Sequence, residues 1–74
     1  METKPISKLR EARERRGWTQ ASLAQVLGVS RPAVYAWESG IARPRGSVMR
    51  LLSMALVIPV EEIQSWFPKQ EKAA

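Results

Sequence analysis

The 74-residue chain has room for one small domain with a modest core, and a helical bundle is the least demanding way to stabilise so short a sequence. It contains no Cys and no His, which excludes disulfides, structural zinc and the commonest general base; no nucleophile–base pair or cofactor motif suggests an enzyme. A formal charge of +5 and a pI near 10.5 favour polyanionic partners, nucleic acid first, and no apolar run approaches the ~18 residues of a membrane span.

Residues 1–5 are expected to form an N-terminal arm, followed by a first helix from about Ile6 to Arg16 with Ile6, Leu9, Ala12, Arg13 and Arg16 on one side at three- and four-residue steps. Met1 to Gly17 is basic but carries Glu2, Glu11 and Glu14 and lacks the apolar centre of a signal peptide, so a cytoplasmic location is expected. Gly17 stops this helix. A second begins at Trp18 or Thr19 and turns Leu23, Ala24 and Leu27 inward. Thr19 can cap it, because a side-chain oxygen there accepts from an unpaired N–H of the first turn. Gly28 suits a left-handed helix end, so Leu27-Gly28-Val29-Ser30 can turn sharply and restart a helix at Arg31 with Ser30 as its cap. Val34 and Trp37 are the inward residues of this third helix, supported by Val29; Arg31, Pro32, Tyr35 and Ala36 lie on its other side, and Gly40 ends it.

Ile41 to Gly46 is expected to be a surface loop carrying Arg43, Pro44 and Arg45. From Ser47 to about Leu56 a fourth helix offers one apolar stripe of Met49, Leu52, Ser53 and Leu56 and an adjoining one of Val48, Leu51 and Ala55, more than one core face needs. Pro59 suits the first turn of a fifth helix reaching about Phe67, with Val60, Ile63 and Phe67 inward and Glu61 and Glu62 at its positive end. Pro68 ends it, and residues 68–74 are expected to form a frayed tail.

The joint spacing Leu9-x-x-x-Arg13-x-x-x-Gly17-x-Thr19-Gln20-x-x-Leu23-Ala24-x-x-Leu27-Gly28-Val29-Ser30-x-x-x-Val34-x-x-Trp37-Glu38-x-Gly40-x-x-x-Pro44 resembles the phage-repressor-like helix-turn-helix family, the lambda repressor and Cro type. The likeness covers roughly Ile6 to Trp66 and implies an all-α, compact five-helix lambda-repressor-like DNA-binding domain over residues 6–67, with the helix-turn-helix unit at 19–39. It further implies that the third helix enters the major groove of double-stranded DNA while the second lies across the backbone.

On that geometry Arg31, first after the cap, has a planar donor fork that matches guanine O6 and N7; its alternative is a phosphate contact alone. Pro32 departs from the hydrogen-bonding side chain often found at its position in the family and can offer only its ring to a thymine methyl. Tyr35 can reach a base edge or a phosphate, or pack across the surface, and Ala36 is small enough to touch a thymine methyl. Gln20, at the positive start of the second helix, is expected to clamp a phosphate and to brace the reading helix, as the family glutamine does. Ser22 departs from the family's frequent glutamate and removes half of a capping box. Ser30 is a cap with a second role toward phosphate. Arg43 and Arg45 are expected at phosphate or the minor groove, and Arg10 at phosphate.

The resemblance also makes Arg13 and Glu38 a partly buried structural ion pair between the first and third helices. Trp37 is expected in the core, and Trp18 and Trp66 as half-buried packing residues rather than stacking platforms. A single helix-turn-helix unit covers few base pairs, so a symmetric dimer is expected, with Val48, Leu51, Ala55, Val57, Ile58 and Trp66 as its interface; the alternative is a well-filled monomer core. Val57 stands where the family often has a helix-ending glycine. No cofactor, metal or membrane partner is expected. The leading function is a sequence-specific transcriptional regulator, a repressor on a palindromic operator. The rivals are an antitoxin that binds a toxin and regulates its own operon, against which the short tail argues, and a protein-interaction module, against which Gln20, Arg31, Arg43 and Arg45 speak.

Overall fold

Five helices, α1 (Lys8–Arg15), α2 (Gln20–Leu27), α3 (Arg31–Ser39), α4 (Gly46–Leu56) and α5 (Val60–Trp66), occupy residues 7–67, the part of the chain described by the computed structural model. The expected arm at 1–5, the inward role of Ile6, the stop at Pro68 and the tail lie outside the described residues.

The starts of α1, α2 and α3 follow hydroxyl caps, while α4 and α5 start at Arg45 and Pro59 without a side-chain cap bond. Ser7 Oγ accepts from the Arg10 N–H at 3.0 Å, Thr19 Oγ1 from Ser22 at 3.0 Å and Ser30 Oγ from Ala33 at 3.3 Å. Each satisfies a backbone donor that the first turn leaves unpaired. The ends of α1, α2 and α3 are equally regular. Gly17, Gly28 and Gly40 adopt φ of 76°, 73° and 80°, and the next residue's N–H reaches back to Arg13, Ala24 and Ala36 at 3.2, 2.9 and 2.9 Å. This six-residue closure recovers a carbonyl that the helix end would otherwise leave open.

The end of α4 has the same shape without the glycine. Val57 takes φ 57°, the one non-glycine residue with positive φ among those described, and the Ile58 N–H reaches the Ser53 carbonyl at 3.1 Å. The Ser53 hydroxyl in turn donates to the Ile58 carbonyl at 2.6 Å, so two hydrogen bonds hold a conformation that a β-branched residue resists. Val57 is 74% exposed and gains little packing in exchange. Val57→Gly is therefore expected to stabilise the domain by about 1 kcal/mol, raising the melting temperature by roughly 4–8 °C in thermal unfolding.

Each helix sends one fully enclosed side chain to a common centre: Leu9, Leu23, Val34, Leu52 and Ile63. Ala12, Ala24, Leu27, Trp37, Met49, Leu56 and Phe67 complete the core around them. α2 packs against α3 and α4, while α1 bridges α3 and α5. Some edges differ from the sequence reading. α1 ends at Arg15, and the reversal at Gly17 leaves Arg16 exposed over the Trp18 ring, 5.2 Å from its centroid, rather than on the inward stripe. Pro59 caps α5 from outside and Phe67 closes it, buried. Pro44, expected on a surface loop, is also buried.

Candidate nucleic-acid interface

The turn at Gly28-Val29-Ser30 sets α3 against α2, and Val34 and Trp37 anchor α3 to the core. What remains outside is an ordered face. Helical spacing sorts it into two neighbouring rows, one of Arg31, Tyr35 and Ser39, the other of Pro32 and Ala36. Arg31, Pro32, Tyr35 and Ser39 are exposed and Ala36 is half-buried. Ser39 was not among the residues expected here, although its four-residue step from Tyr35 was available in the sequence.

The first turn of α3 is poor in backbone donors. Pro32 has no N–H, the Ala33 N–H is taken by Ser30 Oγ at 3.3 Å, and the Val34 N–H points to the Ser30 carbonyl at 3.4 Å. Polar recognition at this end therefore falls to the Arg31 side chain, with the Arg31 N–H and the Ser30 hydroxyl beside it.

Near its C-terminal end α3 is fixed by a buried polar network at Glu38, on the flank between the exposed rows and the core-facing Val34 and Trp37. Arg13 Nε and Nη2 donate to the two Glu38 carboxylate oxygens at 2.7 and 3.2 Å, and Arg13 Nη1 donates to the Trp18 carbonyl at 2.7 Å. Gln20 Nε2 adds a third donor to Glu38 at 3.0 Å. Arg13 and Glu38 side chains are only 8% and 7% exposed, so α1, α2 and α3 are joined by charge-assisted bonds shielded from water. Gln20 is thus engaged with α3, and its amide nitrogen retains a second hydrogen.

Charge is laid out unevenly around this site. From position 15 to position 60 the chain carries Arg15, Arg16, Arg31, Arg43, Arg45 and Arg50 against Glu38 alone, and Glu38 is already held by Arg13. The remaining described carboxylates, Glu11, Glu14, Glu61 and Glu62, sit on α1 and α5. The loop after α3 is bound to it, since the Ile41 and Ala42 N–H groups both donate to the Ala36 carbonyl, at 2.9 and 3.3 Å. That loop carries Arg43, half-buried, and ends at Arg45, exposed at the start of α4. Arg50 is a further exposed cation on α4 that the sequence reading did not single out; its position opposite the Met49, Leu52 and Leu56 stripe could have marked it. Arg10 Nε is paired with Glu14 at 2.9 Å, and this hydrogen bond holds the Glu14 carboxyl below its usual range. A phosphate contact from Arg10 would have to share or replace that pair.

The outer face of α4 presents Leu51, Met54 and the following Val57 at 42%, 72% and 74% exposure. Val48, Ala55, Ile58 and Trp66, expected with Leu51 and Val57 at an interface, are half-buried and pack partly against the core. Met54, which the sequence did not single out, is among the most exposed apolar residues of α4.

Among the described residues no group of three His, Cys, Asp or Glu could hold a metal ion, and no helix is long and apolar enough to cross a membrane. A family model described as helix-turn-helix matches residues 9–63. No curated protein matches the chain.

Proposed function

Since the chain belongs to the helix-turn-helix family of the lambda-repressor type, a family of DNA-binding transcription regulators, we propose that it is a cytoplasmic repressor that binds a palindromic operator as a homodimer. The observation that carries this reading is the exposed face of α3, with Arg31 in its first turn, on a helix tied to α1 and α2 at its far end by the bonds of Arg13 and Gln20 to Glu38. In this reading Arg31 takes guanine O6 and N7, with Pro32, Tyr35 and Ala36 alongside it in the major groove. Gln20 turns its second amide hydrogen to a phosphate, and Ser30, whose oxygen already accepts from Ala33, donates its hydroxyl hydrogen to another. Arg43 and Arg45 follow the backbone, with Arg10 at the margin, and the acid-poor surroundings favour the approach of a polyanion.

Base reading and backbone holding are separable by experiment. Sites selected from random duplexes supply the target; Arg31→Ala is then expected to lose ~1–3 kcal/mol on the selected site and to relax preference at one base pair. Arg45→Ala is expected to weaken selected and random DNA alike and to lower the salt dependence by about one ion. Equal loss from Arg31→Ala on both kinds of DNA would remove its role as a reader.

The uncovered face of α4 supports the homodimer. Leu51, Met54 and Val57 form an exposed apolar patch with Arg50 one turn before Met54 at its margin, and a two-fold contact there would join two reading helices in one particle.

A further inference from the structure

The face of α3 has an asymmetry that its polar side chains do not explain. One row ends in hydrogen-bonding groups at every step, Arg31, Tyr35 and Ser39; the row beside it, Pro32 and Ala36, has none. Just past the helix end, Ile41 adds an apolar side chain that is 73% exposed, its N–H bonded to the Ala36 carbonyl at 2.9 Å. An exposed apolar row on an otherwise polar, cationic surface gains nothing from water, and the missing N–H of Pro32 removes a donor where the helix start would normally offer one. Within the major groove one group matches such a row, the methyl on C5 of a pyrimidine, which projects from the same edge as the guanine acceptors that Arg31 fits.

Resting on the proposed role of α3 as the reading helix, we propose that the Pro32 and Ala36 row recognises a pyrimidine C5-methyl group next to the guanine taken by Arg31. Thymine or 5-methylcytosine can supply that methyl. Pro32 is the specificity-determining residue. Its ring is held rigidly in the first turn, so little side-chain freedom is lost when the methyl is covered. Removing one buried methyl from such a contact weakens binding about four-fold.

The test uses the whole chain and a duplex chosen by selection. Each thymine of the half-site is replaced in turn by deoxyuridine, which removes only the methyl, and each guanine by 7-deazaguanine, which removes the N7 acceptor. At least one thymine is expected to show about four-fold weaker binding as deoxyuridine, and placing 5-methylcytosine·guanine at that pair is expected to bind tighter than cytosine·guanine. Pro32→Ser is expected to shrink the deoxyuridine effect at the same position; if it leaves that effect unchanged, the assignment to Pro32 is overturned. A 7-deazaguanine effect with no response to deoxyuridine anywhere would overturn methyl recognition and leave α3 as the reading helix. No response to either would overturn both. A gain from thymine over deoxyuridine without a gain from 5-methylcytosine over cytosine would confine methyl recognition to an A·T pair and overturn the claim that 5-methylcytosine can supply the methyl.

Discussion

Glu38→Ala is expected to cost about 3–5 kcal/mol, a large share of the stability of a domain of this size. The Glu38 side chain accepts from Arg13 twice and from Gln20 once, and its removal strands a guanidinium that is 8% exposed. A buried charge without its partner loses solvation that nothing returns. The Trp18 carbonyl still receives Arg13 Nη1, yet that one neutral acceptor cannot replace a carboxylate. Removing both charges as Arg13→Met with Glu38→Leu is therefore expected to be milder than either single loss. Urea unfolding of Glu38→Ala, Arg13→Met and the double variant checks this. A single variant as stable as the parent would mean that water reaches the pair and that α3 is held by apolar packing alone.

The second large effect concerns assembly. Met54→Glu places a charge on a side chain that is 72% exposed, so the isolated fold should tolerate it. In a two-fold contact the new carboxylate meets its own copy. The expected product is a folded monomer, with half the parent's mass by sedimentation and operator affinity lowered by ~10²–10⁴, the range that linking two binding units confers. Circular dichroism separates this from unfolding. Unchanged mass, or unchanged affinity in a monomer, would remove the α4 face from the proposed dimer.

The interior of the domain was largely legible from residue spacing. Leu9, Leu23, Val34, Leu52 and Ile63 each stand three or four residues from a second buried residue, Ala12, Leu27, Trp37, Leu56 and Phe67 in turn, and the hydroxyl and glycine that flank each of the first three helices have local causes that act within six residues. Other features depend on contacts that no local pattern encodes. Val48, Ala55, Ile58 and Trp66 look like surplus on a helical projection because the projection cannot show how far α5 folds back over α4. The burial of Pro44 likewise depends on how the loop after α3 returns to the body of the domain. On the interface, the outward position of Arg31 and Tyr35 followed from the inward position of Val34 and Trp37. Gln20's bracing of α3 was expected from the resemblance, but its partner Glu38, 18 positions away, became visible only in three dimensions.

The shortness of the helices has a consequence for how this protein meets its target. The helices span between 7 and 11 residues, below the ~12–15 at which an isolated helix begins to hold in water. α3 cannot persist apart from the other four, so the surface that would grip DNA exists only in molecules that are folded throughout. Occupancy and folding then draw on one equilibrium: a duplex at a hundred times its dissociation constant would stabilise the fold by about 2.7 kcal/mol, and a weakened Ile63, buried between helices that need not touch the duplex, would lower apparent affinity simply by thinning the competent population.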